Sequence, residues 1–94
     1  MFVITLHFAD KTKAPQFMEG HNAWIKQGFD DGVFLLVGSL QPNAGGVILA
    51  HNALPEQIKA RVQDDPFVTE GVVSAEILAI APGRTDERLA FLKS

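Results

Sequence analysis

VFLLVGSLQPNAGGVILAH, residues 33–51, decides how the chain folds. Val33 to Gln41 is an almost unbroken apolar run, and Gly46 to His51 is a second. Between them Pro42, Asn43, Gly45 and Gly46 supply turn chemistry, so the stretch reads as two strands joined in a hairpin. A helix is expected on each side of it. From Lys13 to Asp31, on a wheel advancing about 100° per residue, Phe17, Met18, His21, Trp24, Ile25, Gly28 and Phe29 share an arc of about 140°. Glu19, Ala23, Lys26 and Gln27 fall outside that arc, and the Asp31-Gly32 pair stops the helix. A second helix spans Leu54 to Asp65, with Pro55 in its first turn and Pro66 marking its end. Outermost lie two more strands. Phe2, Ile4, Leu6 and Phe8 alternate with Val3, Thr5 and His7, the period of a strand with two different faces; Val72 to Ala81 is the last strand. The order β-α-β-β-α-β predicts an α+β, ferredoxin-like fold: a four-stranded antiparallel sheet with both helices on one face.

With 94 residues the chain holds one domain. We assign residues 1–83 to it and residues 84–94 to a polar tail, in which Leu89, Phe91 and Leu92 are spaced for a short helix packing on a partner subunit. A chain of this size buries only about 64% of its surface, a thin core. Yet 47% of the residues are hydrophobic, and the second and fourth strands are apolar on both faces. The uncovered sheet face is therefore expected to meet a second copy, making a homodimer.

Eleven acidic residues against eight basic ones give a net charge of −3, with no Lys/Arg cluster to track a phosphate backbone, so nucleic acid is not an expected partner. The absence of cysteine excludes disulfides and thiolate metal sites and fits a cytoplasmic setting. MFVITLHFAD lacks a basic leader region, a small-residue cleavage site and the ~18 apolar residues of a membrane span, so it reads as a strand and no membrane attachment is expected. The three histidines have no HxxxH or HExxH spacing, and neither a metal nor an organic cofactor is expected.

Two residues stand out for chemistry. His21 lies near the middle of the apolar arc, between Phe17 and Ile25; it reads either as a core histidine bonded to a backbone carbonyl or as a functional imidazole. The same wheel turns Asp65 to the inner face of the second helix and Asp64 to the outer one. A carboxylate buried at a helix C-terminus is opposed by desolvation and by the dipole, and His21 is the available cation. The other reading of Asp65 is a helix-terminal side chain bonding local N–H groups before Pro66. A His21–Asp65 contact would orient the imidazole and leave its other nitrogen for proton transfer.

Further candidates are weaker. His7 points to the uncovered sheet face, as cavity lining or as an interface residue. Trp24 would stack on a ligand or fill the core. Gly38 and Ser39 would let a ligand approach backbone N–H groups and offer a hydroxyl, or simply pack against a helix. Ser74 and Glu76 share one face of the last strand, as cavity lining or as a dimer contact. His51, beside Asn52, reads as a turn residue, and Gly45-Gly46 as a hairpin turn rather than a phosphate loop.

GHNAWIKQGFDDG (residues 20–32), VFLLVGSLQP (33–42), the glycine hairpin and DDPFVTEGVV (64–73) together resemble the YciI-like (YCII-related) family, over about residues 1–82. The resemblance implies a dimeric α+β barrel and a His-Asp dyad, which falls on His21 and Asp65. Two positions depart from the family pattern: Met18 stands where members often carry an arginine, and Gly38-Ser39 where many have Gly-Pro. An anionic substrate held by that arginine is therefore not expected here. Some relatives are dehydrochlorinases, and the wider superfamily includes muconolactone isomerases and cofactor-free monooxygenases.

The leading expectation is a lyase or isomerase acting on a small, unidentified, cyclic molecule. His21 would move a proton, Asp65 would orient it, Ser39 or a nearby amide would hold a developing oxyanion, and His7 would line the cavity. A non-catalytic metabolite-binding or interaction module is the alternative from another class, and a cofactor-free monooxygenase is a third.

Overall fold

The computed structural model describes residues 1–93; Ser94, the end of the 84–94 tail, lies outside the described residues. The strands are β1 (Phe2–Phe8), β2 (Phe34–Leu40), β3 (Gly45–Ala50) and β4 (Val73–Ala79), and the α-helices are α1 (Ala14–Asp30), α2 (Pro55–Gln63) and α3 (Pro66–Thr69). A 3-10 turn at Lys11–Lys13 leads into α1, and a 3-10 helix spans Glu87–Lys93. The strands form one antiparallel sheet in the order β2-β3-β1-β4, the ferredoxin-like arrangement.

Alternation in the central strand sorts the two faces. Phe2, Ile4 and Leu6 of β1 are buried with Ile48 and Ala50 of β3 against Trp24 of α1, Ile58 and Val62 of α2, and Phe67 of α3. On the other face Leu36, Leu49, Val3 and Leu78 stand directly opposite one another, an apolar row across all four strands. Next to it runs the row Gly38, Val47, Thr5, Glu76, and then Leu40, Gly45, His7, Ser74. Among the described residues no α-helix covers this face, and Leu36 and Leu78 are exposed.

β2 is an edge strand, and Leu36 and Val37 are exposed in the single chain. Its register with β3 slips between Phe34 and Leu36. Such a bulge advances the strand by one residue and exchanges its faces. Phe34 therefore points to the helices, and so do Val37 and Ser39 beyond the bulge.

α1 ends as its sequence predicts: Gly32 takes a φ of 74° and donates to the Phe29 carbonyl, while Val33 donates to that of Gly28. Gly28 has a packing role, since a Cβ there would lie 2.1 Å from the Phe34 ring. Asp31 accepts from the Gln27 side chain and from Arg61 of α2, which together hold its carboxyl below the ordinary range.

The expected helix 54–65 is corrected in its last turn. Pro66 disfavours helical dihedrals at the residue before it, and Asp65 is extended, with φ −68° and ψ 122°. α2 consequently stops at Gln63, and Asp65 becomes the N-cap of α3. The tail's 3-10 helix lies against its own chain, where the Phe91 ring meets His51 edge-on.

Candidate active site

The site is built where α1 passes α3. Gly20 permits the close approach, since a Cβ there would come 3.0 Å from Pro66 Cγ. One residue on, His21 Nδ1 lies 2.8 Å from Asp65 Oδ1. The imidazole keeps 12% of its surface exposed and the carboxylate none. Asp65 Oδ1 also accepts the backbone N–H of Phe67 at 3.0 Å. The two readings of Asp65, histidine partner and local cap, are thus realised together on one oxygen. The dipole argument made for this residue reverses, because the carboxylate caps the start of a helix instead of opposing the end of one. Asp65 Oδ2 is buried and no donor among the described residues reaches it.

With Asp65 as a carboxylate, Oδ1 accepts both bonds, the hydrogen between the side chains sits on Nδ1, and a neutral ring then carries its lone pair on Nε2. The ring lies flat on Phe67, with centroids 3.9 Å apart and planes 2° from parallel. Trp24 is a more distant neighbour, at 6.0 Å between centroids.

A cavity of about 290 Å³ opens beside His21, between α1 and the β2–β3 end of the sheet. Its floor is Leu6 and Ile48, its α1 side carries Met18, Asn22 and Ile25, and its β2 side carries Val37, Gly38 and Ser39. The space exists because Gly46, opposite both Leu6 and Ser39, has no side chain: a Cβ there would meet only the Gly38 carbonyl oxygen, at 3.4 Å. No Lys or Arg lines the cavity among the described residues. Its polar groups are His21, Asn22 and Ser39, in otherwise apolar walls, a composition suited to a small uncharged ring.

His21, Ser39 and Gly38 are therefore brought together. His7 and Trp24 lie outside this cavity. His7 belongs to β1's other set of side chains and is exposed on the open face with Ser74 and Glu76. Trp24 is buried between the helices and donates its indole N–H to the Arg61 carbonyl at 2.9 Å. Asn22, Gly46 and Phe67 are the site residues that sequence reasoning did not single out. The signal for Phe67 is its place two residues after a capping aspartate, where the backbone N–H is the one a cap takes. Among the described residues no three His, Cys, Asp or Glu side chains gather as metal ligands, and no helix is long and apolar enough to cross a membrane.

The model of the YCII-related domain matches residues 1–80. Among solved structures, the fold is similar to that of 5-chloro-2-hydroxyhydroquinone dehydrochlorinase from Burkholderia phenoliruptrix AC1100 in complex with 2,5-dihydroxybenzoquinone. The TM-score is 0.69 at 11% sequence identity, covering 88% of this chain and 96% of that one. No curated protein matches the chain.

Proposed function

The chain belongs to the YCII-related domain family, and on that premise we propose that it is a lyase or isomerase in which His21 moves a proton on a small cyclic molecule. The observation that carries this reading is the hydrogen bond from His21 Nδ1 to buried Asp65, which leaves Nε2 as the nitrogen for the cavity. Nε2 takes a proton from an acidic O–H or C–H of the bound ring, and the electron pair left behind forms a new double bond. In a lyase acting on an aryl chloride, that pair first draws a proton onto the chlorine-bearing carbon, giving the keto tautomer, and loss of a second O–H proton then expels chloride and leaves the quinone; in an isomerase the proton returns at another carbon. The imidazolium formed in between is held against the Asp65 carboxylate. The Ser39 hydroxyl, or a free amide of the edge strand β2, takes the developing negative charge on a ring oxygen. The dehydrochlorinase that shares this fold removes HCl from a chlorinated hydroxyhydroquinone, and that makes its substrate the first probe.

Chloride release from 5-chloro-2-hydroxyhydroquinone and solvent-deuterium uptake by a panel of hydroxylated rings test the proposal. The critical comparison is Gly46→Leu, which fills the cavity from the sheet side and leaves His21 and Asp65 themselves unchanged. Turnover is expected to fall at least ~100-fold, as for loss of reactant positioning, with an unchanged melting temperature. Undiminished turnover would remove the cavity from the mechanism.

A homodimer formed through the open face is part of the same proposal. The single chain exposes 5974 Å² where a folded protein of its mass exposes about 5,300 Å². Leu36 and Leu78 of the apolar row on the open face are among the exposed apolar side chains. Sedimentation is expected to give two protomers, and Leu78→Glu one; a monomeric wild type would contradict this. A cytoplasmic location is proposed from the cysteine-free composition.

One observation favours a second reading, a metabolite-binding module with a purely structural pair: Asp65 is fully buried and caps α3. The stability of the His21 variant separates the two, as argued below.

A further inference from the structure

Resting on the reading of His21 as a base, we infer that Phe67 is the positioning residue of the dyad: its amide holds the carboxylate and its ring holds the imidazole. The amide donates to Asp65 Oδ1 at 3.0 Å, and the phenyl ring, only 4% exposed, lies parallel to the imidazole at 3.9 Å. Neither contact alone determines where Nε2 points. A single hydrogen bond at Nδ1 leaves the imidazole free to swing about the line joining it to Oδ1. A flat surface beneath the ring removes that swing, so the bond and the stack together define the plane in which Nε2 reaches the cavity.

The platform is itself held. Asp65's carbonyl accepts from Val68 at 2.9 Å and Thr69 at 3.0 Å, so the turn that carries Phe67 is the turn that carries the carboxylate. The contact also serves both charge states of the base: neutral rings stack through dispersion, and an imidazolium over a phenyl face gains a cation–π attraction. An aliphatic side chain at position 67 fills volume but offers no plane.

The test compares Phe67→Leu with Phe67→Tyr in full-length protein carrying ¹⁵N-labelled histidine. In the wild type the His21 Nδ1–H is expected as one resolved signal, slow to exchange with water. In Phe67→Leu that signal should broaden or vanish while unfolding stays cooperative. Its kcat on the chlorohydroxyhydroquinone probe should fall about 10- to 100-fold, the scale of a small misplacement of a reacting group, with KM changed less than about twofold. Phe67→Tyr, which keeps the plane, should restore both. If the leucine variant does not fold, Phe67→Met carries the same comparison. A leucine variant with wild-type ring signal and kcat, or a tyrosine variant as impaired as the leucine one, overturns the inference. If His21→Ala turns over like the wild type while Phe67→Leu still frees the ring, the base reading fails and the positioning role stands.

Discussion

His21→Ala is expected to lose turnover by about 10²- to 10⁴-fold, the usual contribution of a positioned general base, while the protein remains folded. The stability change is the informative second number. Without the imidazole, Asp65 Oδ1 keeps the Phe67 amide, and among the described residues no donor reaches Oδ2. Stranding a carboxylate in a sealed core costs about 3–5 kcal/mol. This carboxylate is not sealed once His21 is gone, because the imidazole is itself part of the cavity wall. Water fills its place, and the loss should stop at about 1–2 kcal/mol. Urea unfolding and initial rates on one preparation check both numbers. A large stability loss with unaffected turnover would make the pair structural and favour the binding-module reading.

Asp65 gives the second large effect, and two substitutions divide its two duties. In Asp65→Asn the amide oxygen still accepts from both His21 and Phe67, so the cap of α3 and the ring orientation persist. Only the charge that stabilises the imidazolium is lost. Turnover should therefore drop by as much as ~10⁴-fold, the scale seen when an orienting carboxylate is neutralised, with the melting temperature held or raised. Asp65→Ala removes the acceptor as well. It loses the cap, worth about 0.5–2 kcal/mol, and leaves a part-buried Nδ1–H unpaired at about 1–3 kcal/mol, so it should be both inactive and unstable. Wild-type turnover in Asp65→Asn beside a damaged Asp65→Ala would mean that the carboxylate acts only as a structural acceptor.

The legible parts of the fold were those governed by period and by local turn chemistry. Alternation from Phe2 to Phe8 set the central strand's two faces, the glycine hairpin set the β2–β3 pair, and the α1 wheel turned His21 inward. Three features lay beyond those signals. The bulge near Leu35 depends on pairing with β3, and without it Ser39 would face away from His21. A uniformly apolar run carries no mark of such a slip, because either face satisfies burial. The cavity is invisible for a related reason: Gly46 reads as a turn residue, and only its place opposite Leu6 and Ser39 shows that its missing side chain makes room. The break after Gln63 was within reach, since Pro66 disfavours a helical Asp65; continuing α2 through that residue inverted the sign of the dipole argument. His7 shows the converse limit. Its orientation to the open face follows from alternation, but which face holds the ligand space depends on how α1 sits over the sheet.

The central claim is that Asp65 commits Nδ1 of His21 and so leaves Nε2 as a base facing the cavity. The most direct measurement is the long-range ¹H–¹⁵N correlation spectrum of the neutral His21 ring in the unmodified protein, which identifies the nitrogen that carries the hydrogen. The account predicts protonated Nδ1 and bare Nε2. A hydrogen on Nε2 would present the cavity with a donor in place of a base, and the proton-transfer account would be contradicted.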